Sequence, residues 1–205
     1  MQGIDFLFSI AVLIFSVVIH EVSHGLAANA LGDPTAKNEG RLTLNPIKHL
    51  DLFGSVLLPV LTYWAGGFIF GWAKPVPYNP YNLSNQKWGP AVVAVAGPGA
   101  NLIVAAIFGL LVRAAPFAGL PPEFVGIATT IVFINILLAV FNCVPIPPLD
   151  GSKVLFAALP PTLGHIQDFL ERWGFMLLLL FIFFFFHLLL PVVVAIFRLF
   201  TGLAF

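Results

Sequence analysis

The sequence predicts an all-α polytopic membrane protein of about four to five transmembrane helices, with a re-entrant element and a short membrane-associated β segment. Three observations predict it. Of the 205 residues, 60% are hydrophobic and only 9% are charged, whereas soluble domains run at about 45–50% and about 25%. Mean hydropathy is +1.01. Several apolar runs reach the roughly 20 residues that a helix needs to cross a bilayer. Nine basic residues balance nine acidic ones, so nothing points to nucleic acid, and the lipid bilayer is the expected partner surface. The single cysteine, Cys143, excludes an internal disulfide.

The elements follow in order within one domain, 1–205. Residues 5–31 form a spanning run with no Lys or Arg before it and no small-residue cleavage site, which reads as a retained anchor. Residues 32–50 are polar, and RLTLN within them alternates like a short strand. Run 51–73 is long enough to span, but it contains Gly54, Pro59, Gly66, Gly67 and Gly71. Such interruptions are tolerated at membrane depth where protein or water satisfies the freed backbone, so a broken, re-entrant element is expected. KPVPYNPYN, 74–82, should be extended because three prolines forbid a regular helix. Helices are expected over 90–115 and 122–143, and NCVPIPPLDG, 142–151, breaks the second of these. An amphipathic stretch over 152–171 precedes a last span at 172–200, where FFFF faces lipid. With four spans and a re-entrant element, basic residues concentrate in 32–90 and 144–171, which favours the cytoplasmic side for those segments, whereas five full spans leave the count nearly balanced. The expected membrane is a prokaryotic inner membrane.

HEVSH, at 20–24, lies inside the first apolar run. A charge there costs about 2.5–3.5 kcal/mol on insertion scales, so an ionisable cluster at that depth is functional by default. On a helix, His20 and His24 face the same way and can hold one zinc ion. Glu21 sits beside that face without being forced to ligate, the arrangement of a metalloprotease general base. A catalytic zinc needs three protein ligands and one open position. His49 and His165 flank apolar runs and read as interfacial, and His187 reads as a bundle contact. Asp168 and Glu171 belong to a polar stretch. Asp150 is different: it follows a proline-broken helix end, which makes sense around a cavity. One zinc ion against Asp150 and Glu21 also sums to zero charge, the cheapest state in a low dielectric.

Three motifs carry a resemblance to the site-2 proteases, intramembrane zinc metalloproteases: HEVSHG at 20–25, AGPGAN at 96–101 and NCVPIPPLDG at 142–151. The chain is similar to the short prokaryotic subgroup without PDZ or CBS domains. The resemblance implies that His20, His24 and Asp150 bind one Zn²⁺ per chain, that Glu21 activates water, and that Asn142 handles the substrate backbone. It implies a single-pass or multi-pass membrane protein as substrate. An unwound substrate could pair with the expected strand through Leu42, Thr43 and Leu44. Gly97 and Gly99 are read as allowing close helix packing. The main alternative is a metal-ion transporter using the same His/Asp site, but transporters favour internal repeats and none is evident.

Topology answers to the same chemistry. His20 and Asp150 share an ion only if the helices bearing them run in the same direction, with one crossing between. A second crossing would separate them by most of the roughly 30 Å hydrocarbon core. Run 90–115 supplies the one crossing, so 51–73 is expected to enter and leave on one face.

Overall fold

A computed structural model describes residues 2–51, 57, 61, 64 and 74–203. Helix α1 spans Gln2–Ala30, α2 Gly89–Ala118 and α3 Pro122–Asn142. A short helix, α4, covers Asp150–Ala158. After a 3₁₀ turn at Pro161–Leu163, α5 covers Gly164–Leu180 and α6 covers Leu190–Thr201. Among the described residues, four helical stretches are long and apolar enough to cross a membrane: Leu7–Ala30, Gly89–Ala118, Pro122–Asn142 and Pro161–Thr201. Large apolar side chains such as Ile103, Leu110, Phe183 and Leu199 stand exposed on their outer faces, as expected where lipid replaces water.

Helices α1 and α2 pack antiparallel, for His24 meets Val93 while His20 and Ser16 meet Asn101. Gly119, in the left-handed region with φ 62°, ends α2 and turns the chain directly into α3. Ala105 of α2, Val132 and Ile136 of α3, and Val193 and Phe197 of α6 form a buried apolar core. That core holds the bundle together beside the polar cluster described below.

The last span is longer than the expected 172–200 and is not a uniform helix. A π turn at Phe181–Phe185 and a 3₁₀ turn at Phe186–Leu189 lie between α5 and α6. Pro191, in the first turn of α6, accounts for the 3₁₀ turn. It has no N–H for the carbonyl of His187, and its ring crowds the preceding turn, so the ladder changes pitch there. His187 is exposed rather than a bundle contact.

The expected strand at RLTLN does not form. Residues 41–45 are irregular, and no strand occurs among the described residues. Their polar side chains turn inward on their own backbone instead. Thr43 Oγ1 accepts from the Asn45 N–H at 3.2 Å, and Asn45 Oδ1 accepts from the Ile47 N–H at 3.1 Å. Asn45 thereby caps the 3₁₀ turn Pro46–His49. Local side-chain bonds of this kind compete with a ladder, and no strand among the described residues offers one. The re-entrant element expected over 51–73 falls almost entirely outside the described residues.

Candidate active site

His20 and His24 stand one turn apart on α1, and Asp150 is the first residue of α4. The chain returns Asp150 to α1 through a tight fold of the NCVPIPPLDG segment against the end of α3. Gly151 makes that fold possible, because a Cβ there would run into the carbonyl of Cys143. The result is a convergence of three ligand atoms. Asp150 Oδ2 lies 3.0 Å from His20 Nε2 and 3.3 Å from His24 Nε2, and one ligand atom from each residue falls within 4.8 Å of the others.

The far nitrogens of both rings show what that convergence is for. His24 Nδ1 lies 2.7 Å from the carbonyl of Val93, which can only accept, so Nδ1 carries the proton. His20 Nδ1 lies 2.7 Å from Asn101 Oδ1. Asn101 spends its Nδ2 hydrogens on the carbonyl of Ser16 and on Asn135 Oδ1, which leaves its oxygen as the acceptor. Asn135 in turn donates to Ser16 Oγ at 2.9 Å. With Nδ1 donating in each ring, Nε2 is the atom that each ring turns toward the carboxylate, and its lone pair is the one that would serve a cation. Three electron-rich atoms therefore face one point. Asp150 Oδ2 is buried and has no hydrogen-bond partner, a costly arrangement unless a cation sits there. The residues present fit a zinc ion.

Gly97, in the AGPGAN motif, does more than let helices approach. A Cβ there would lie 2.5 Å from His24 Nε2 and 2.7 Å from His20 Cε1. The bare backbone of α2 is what leaves room for the two imidazoles. Pro98, next to it, cannot donate to the carbonyl of Ala94, a residue that lines the cavity.

Glu21 does not join the ligands. Its Oε2 accepts the backbone N–H of Val76 at 2.8 Å, and it lines a cavity of about 230 Å³ together with His20, His24, Asp150, Asn142 and Lys153. An apolar cavity of about 370 Å³ adjoins it, sharing Asn142 and Asp150 as walls and continuing along Val95, Pro98 and Val154. Val95 and Val154 are also exposed on the outer face of the protein.

The sequence-derived candidates divide clearly. His20, Glu21, His24, Asp150 and Asn142 come together around one cavity. Leu42, Thr43 and Leu44 do not line it: Leu42 lies over Gly25 of α1, the Thr43 carbonyl faces His49 Nε2 at 2.9 Å, and Leu44 is exposed. Glu171 is exposed and does not line that cavity. His49, expected at the interface, is 1% exposed. Sequence reasoning missed Ser16, Asn101 and Asn135 as the support of His20. A buried amide in an apolar run was the available signal.

It also missed Asp33. Burial pushes its carboxyl upward, but hydrogen bonds from Thr35, from the Asn82 side chain and from the Asn79 N–H outweigh this and hold it below the usual carboxylate range. Asp33 thus stays ionised and fastens the 79–82 turn to the end of α1.

Comparison with known proteins agrees with this geometry. The model of peptidase family M50 matches residues 8–125 and 121–185. The chain belongs to peptidase family M50. The resemblance to site-2 proteases drawn from the three motifs is therefore borne out. Among curated members, the chain is 38% identical over 174 residues to a Bacillus subtilis protein named "Putative zinc metalloprotease YwhC", covering 80% of this chain and 74% of that protein. It is 33% identical over 172 residues to "Putative zinc metalloprotease Rip2" of Mycolicibacterium smegmatis, covering 84% of this chain and 65% of the relative. A Synechocystis relative, "Putative zinc metalloprotease sll0528", is 31% identical over 71% of this chain, which spans only 30% of that protein. No solved structure matches the chain.

Proposed function

We propose that this M50 peptidase is an intramembrane zinc metalloprotease that hydrolyses a peptide bond within or near a transmembrane segment of another membrane protein. The observation that carries the reading is the convergence of His20 Nε2, His24 Nε2 and Asp150 Oδ2 with Glu21 on the same cavity wall. His20, His24 and Asp150 would hold one zinc ion per chain. When bound, the ion supplies Lewis acidity, acidifying a water and polarising a carbonyl. Glu21, held at Oε2 by Val76, offers Oε1 to take the proton of the attacking water. As the C–N bond breaks, Glu21 returns that proton to the departing amine nitrogen. Asn142, on the wall shared by both cavities, offers its side chain to the backbone of an unwound substrate. Leu44 is the exposed member of the 42–44 stretch and the proposed outer contact.

The apolar cavity beside the metal residues supports a substrate that enters from lipid. A purified sample in liposomes should cleave a transmembrane reporter at a bond inside its apolar segment, and chelation should abolish cleavage until zinc is restored. Cleavage confined to a soluble reporter, or unaffected by chelation, would overturn the reading.

A path for 51–73 that enters and leaves on one face is supported by two described residues at its flanks, His49 and Lys74. The N–H of Lys74 donates to the carbonyl of His49 at 2.8 Å, so the chain leaves and rejoins at one place. We infer that the intervening residues enter and exit on one face, with 32–90 and 144–171 cytoplasmic in a prokaryotic inner membrane. Lys48→Cys and Lys74→Cys, each in a Cys143→Ser background, should both label with an impermeant thiol reagent from the cytoplasmic side. Labelling from opposite sides would show a true span instead.

A further inference from the structure

We propose that Arg41 is a positioning residue for Glu21, acting through the single peptide unit that joins Pro75 to Val76. This rests on the assignment of Glu21 as the proton acceptor. The oxygen end of that peptide unit accepts from Arg41 Nη2 at 3.2 Å, and the same Nη2 reaches the Lys74 carbonyl at 3.0 Å. The nitrogen end of the unit donates to Glu21 Oε2 at 2.8 Å. A cation therefore stands at one end of an amide dipole and the carboxylate at the other. Hydrogen bonds in such a chain polarise one another, so the guanidinium strengthens the Val76 N–H as a donor.

The surroundings hold that amide in place from several directions. Arg41 is only 6% exposed, unusual for a residue that normally keeps its head in water. Pro75 and Pro77 fix φ on either side of Val76. The Lys74 N–H is tied to His49 and the Asn79 N–H to Asp33. Val76 is buried and packs over Gly25, where a Cβ would lie 2.8 Å from Val76 Cγ1. Gly25 thus lets the segment lie directly on the helix that carries Glu21. Of these restraints, only Arg41 bonds the same peptide plane that Glu21 bonds.

The consequence is kinetic. Fixing Oε2 orients Oε1 toward the cavity, which serves proton transfer rather than substrate affinity. Arg41→Gln should therefore lower kcat about ten-fold, the lower end of what losing a supporting hydrogen bond costs at such sites, with KM and zinc content unchanged. Arg41→Lys keeps the charge and one carbonyl contact and should recover most of the rate. Val76→Pro deletes the N–H itself and should reproduce the loss independently of whether Arg41→Gln folds well.

The experiment is a set of kcat and KM measurements on the full chain in liposomes, using the transmembrane reporter, for these variants and the combination of Arg41→Gln with Val76→Pro. The combined loss should match the larger single loss, because both act through one contact. In a Glu21→Gln background, Arg41→Gln should cost nothing further. A multiplicative combined loss, a KM effect without a kcat effect, or an unchanged kcat in Val76→Pro would overturn the proposal. Full activity in Glu21→Gln would instead overturn the assignment on which it rests.

Discussion

Glu21→Gln is expected to keep its zinc and lose its proteolysis. The amide is the same size as the carboxylate, and its carbonyl oxygen can still accept the Val76 N–H that Oε2 accepts now. None of the three converging ligand atoms belongs to Glu21, so metal retention should not depend on it. What disappears is the group proposed to take a proton from water and return it to the amine. Loss of a positioned general base lowers rates by roughly 10²–10⁴-fold. The check is reporter cleavage beside metal content on the same purified sample. Cleavage at the wild-type rate would show that another group accepts the proton.

The grouping of His20, His24 and Asp150 was legible in the sequence because each of them breaks a rule of apolar segments. Two histidines four residues apart in a membrane run, and an aspartate at a proline-broken helix end, are expensive unless they meet. The structure brings them together as charge balance requires. The support of that site was harder to read. His20 and Asn101 are 81 positions apart, and Asn135 reaches back to Ser16 across 119. Sequence shows each amide as an isolated polar residue, and only packing shows that they form one network.

Alternation in RLTLN is equally compatible with a strand and with a loop whose Thr43 and Asn45 bond their own backbone, and the second arrangement prevailed. The last apolar run reads in sequence as one uninterrupted span, and its wide and tight turns at Phe181–Phe185 and Phe186–Leu189 emerge only in the structure. Gly97 illustrates a different limit. Its small size was readable, whereas the neighbours that demand it, the rings of His20 and His24, became apparent only once α1 and α2 were placed side by side.

Asp150→Ala should lose both zinc and activity, and it is the substitution that bears most directly on the account. In the proposed site its carboxylate would bring the third ligand atom and one of the two negative charges that neutralise the ion. Its Oδ2 is also a buried oxygen left without a hydrogen-bond partner among the described residues. Alanine leaves two imidazoles and open water positions, a far weaker set than three protein ligands around a zinc ion. Asp150→Asn keeps an oxygen but removes the charge, so it should retain zinc less tightly than the wild type and more tightly than alanine. Glu171→Ala serves as the control, since Glu171 is exposed and is not among the three converging residues. The decisive measurement is zinc stoichiometry in purified wild type, Asp150→Ala and Glu171→Ala. The account predicts one zinc per chain in the wild type and in Glu171→Ala and well below that in Asp150→Ala, whereas full zinc in Asp150→Ala with loss in Glu171→Ala would contradict it.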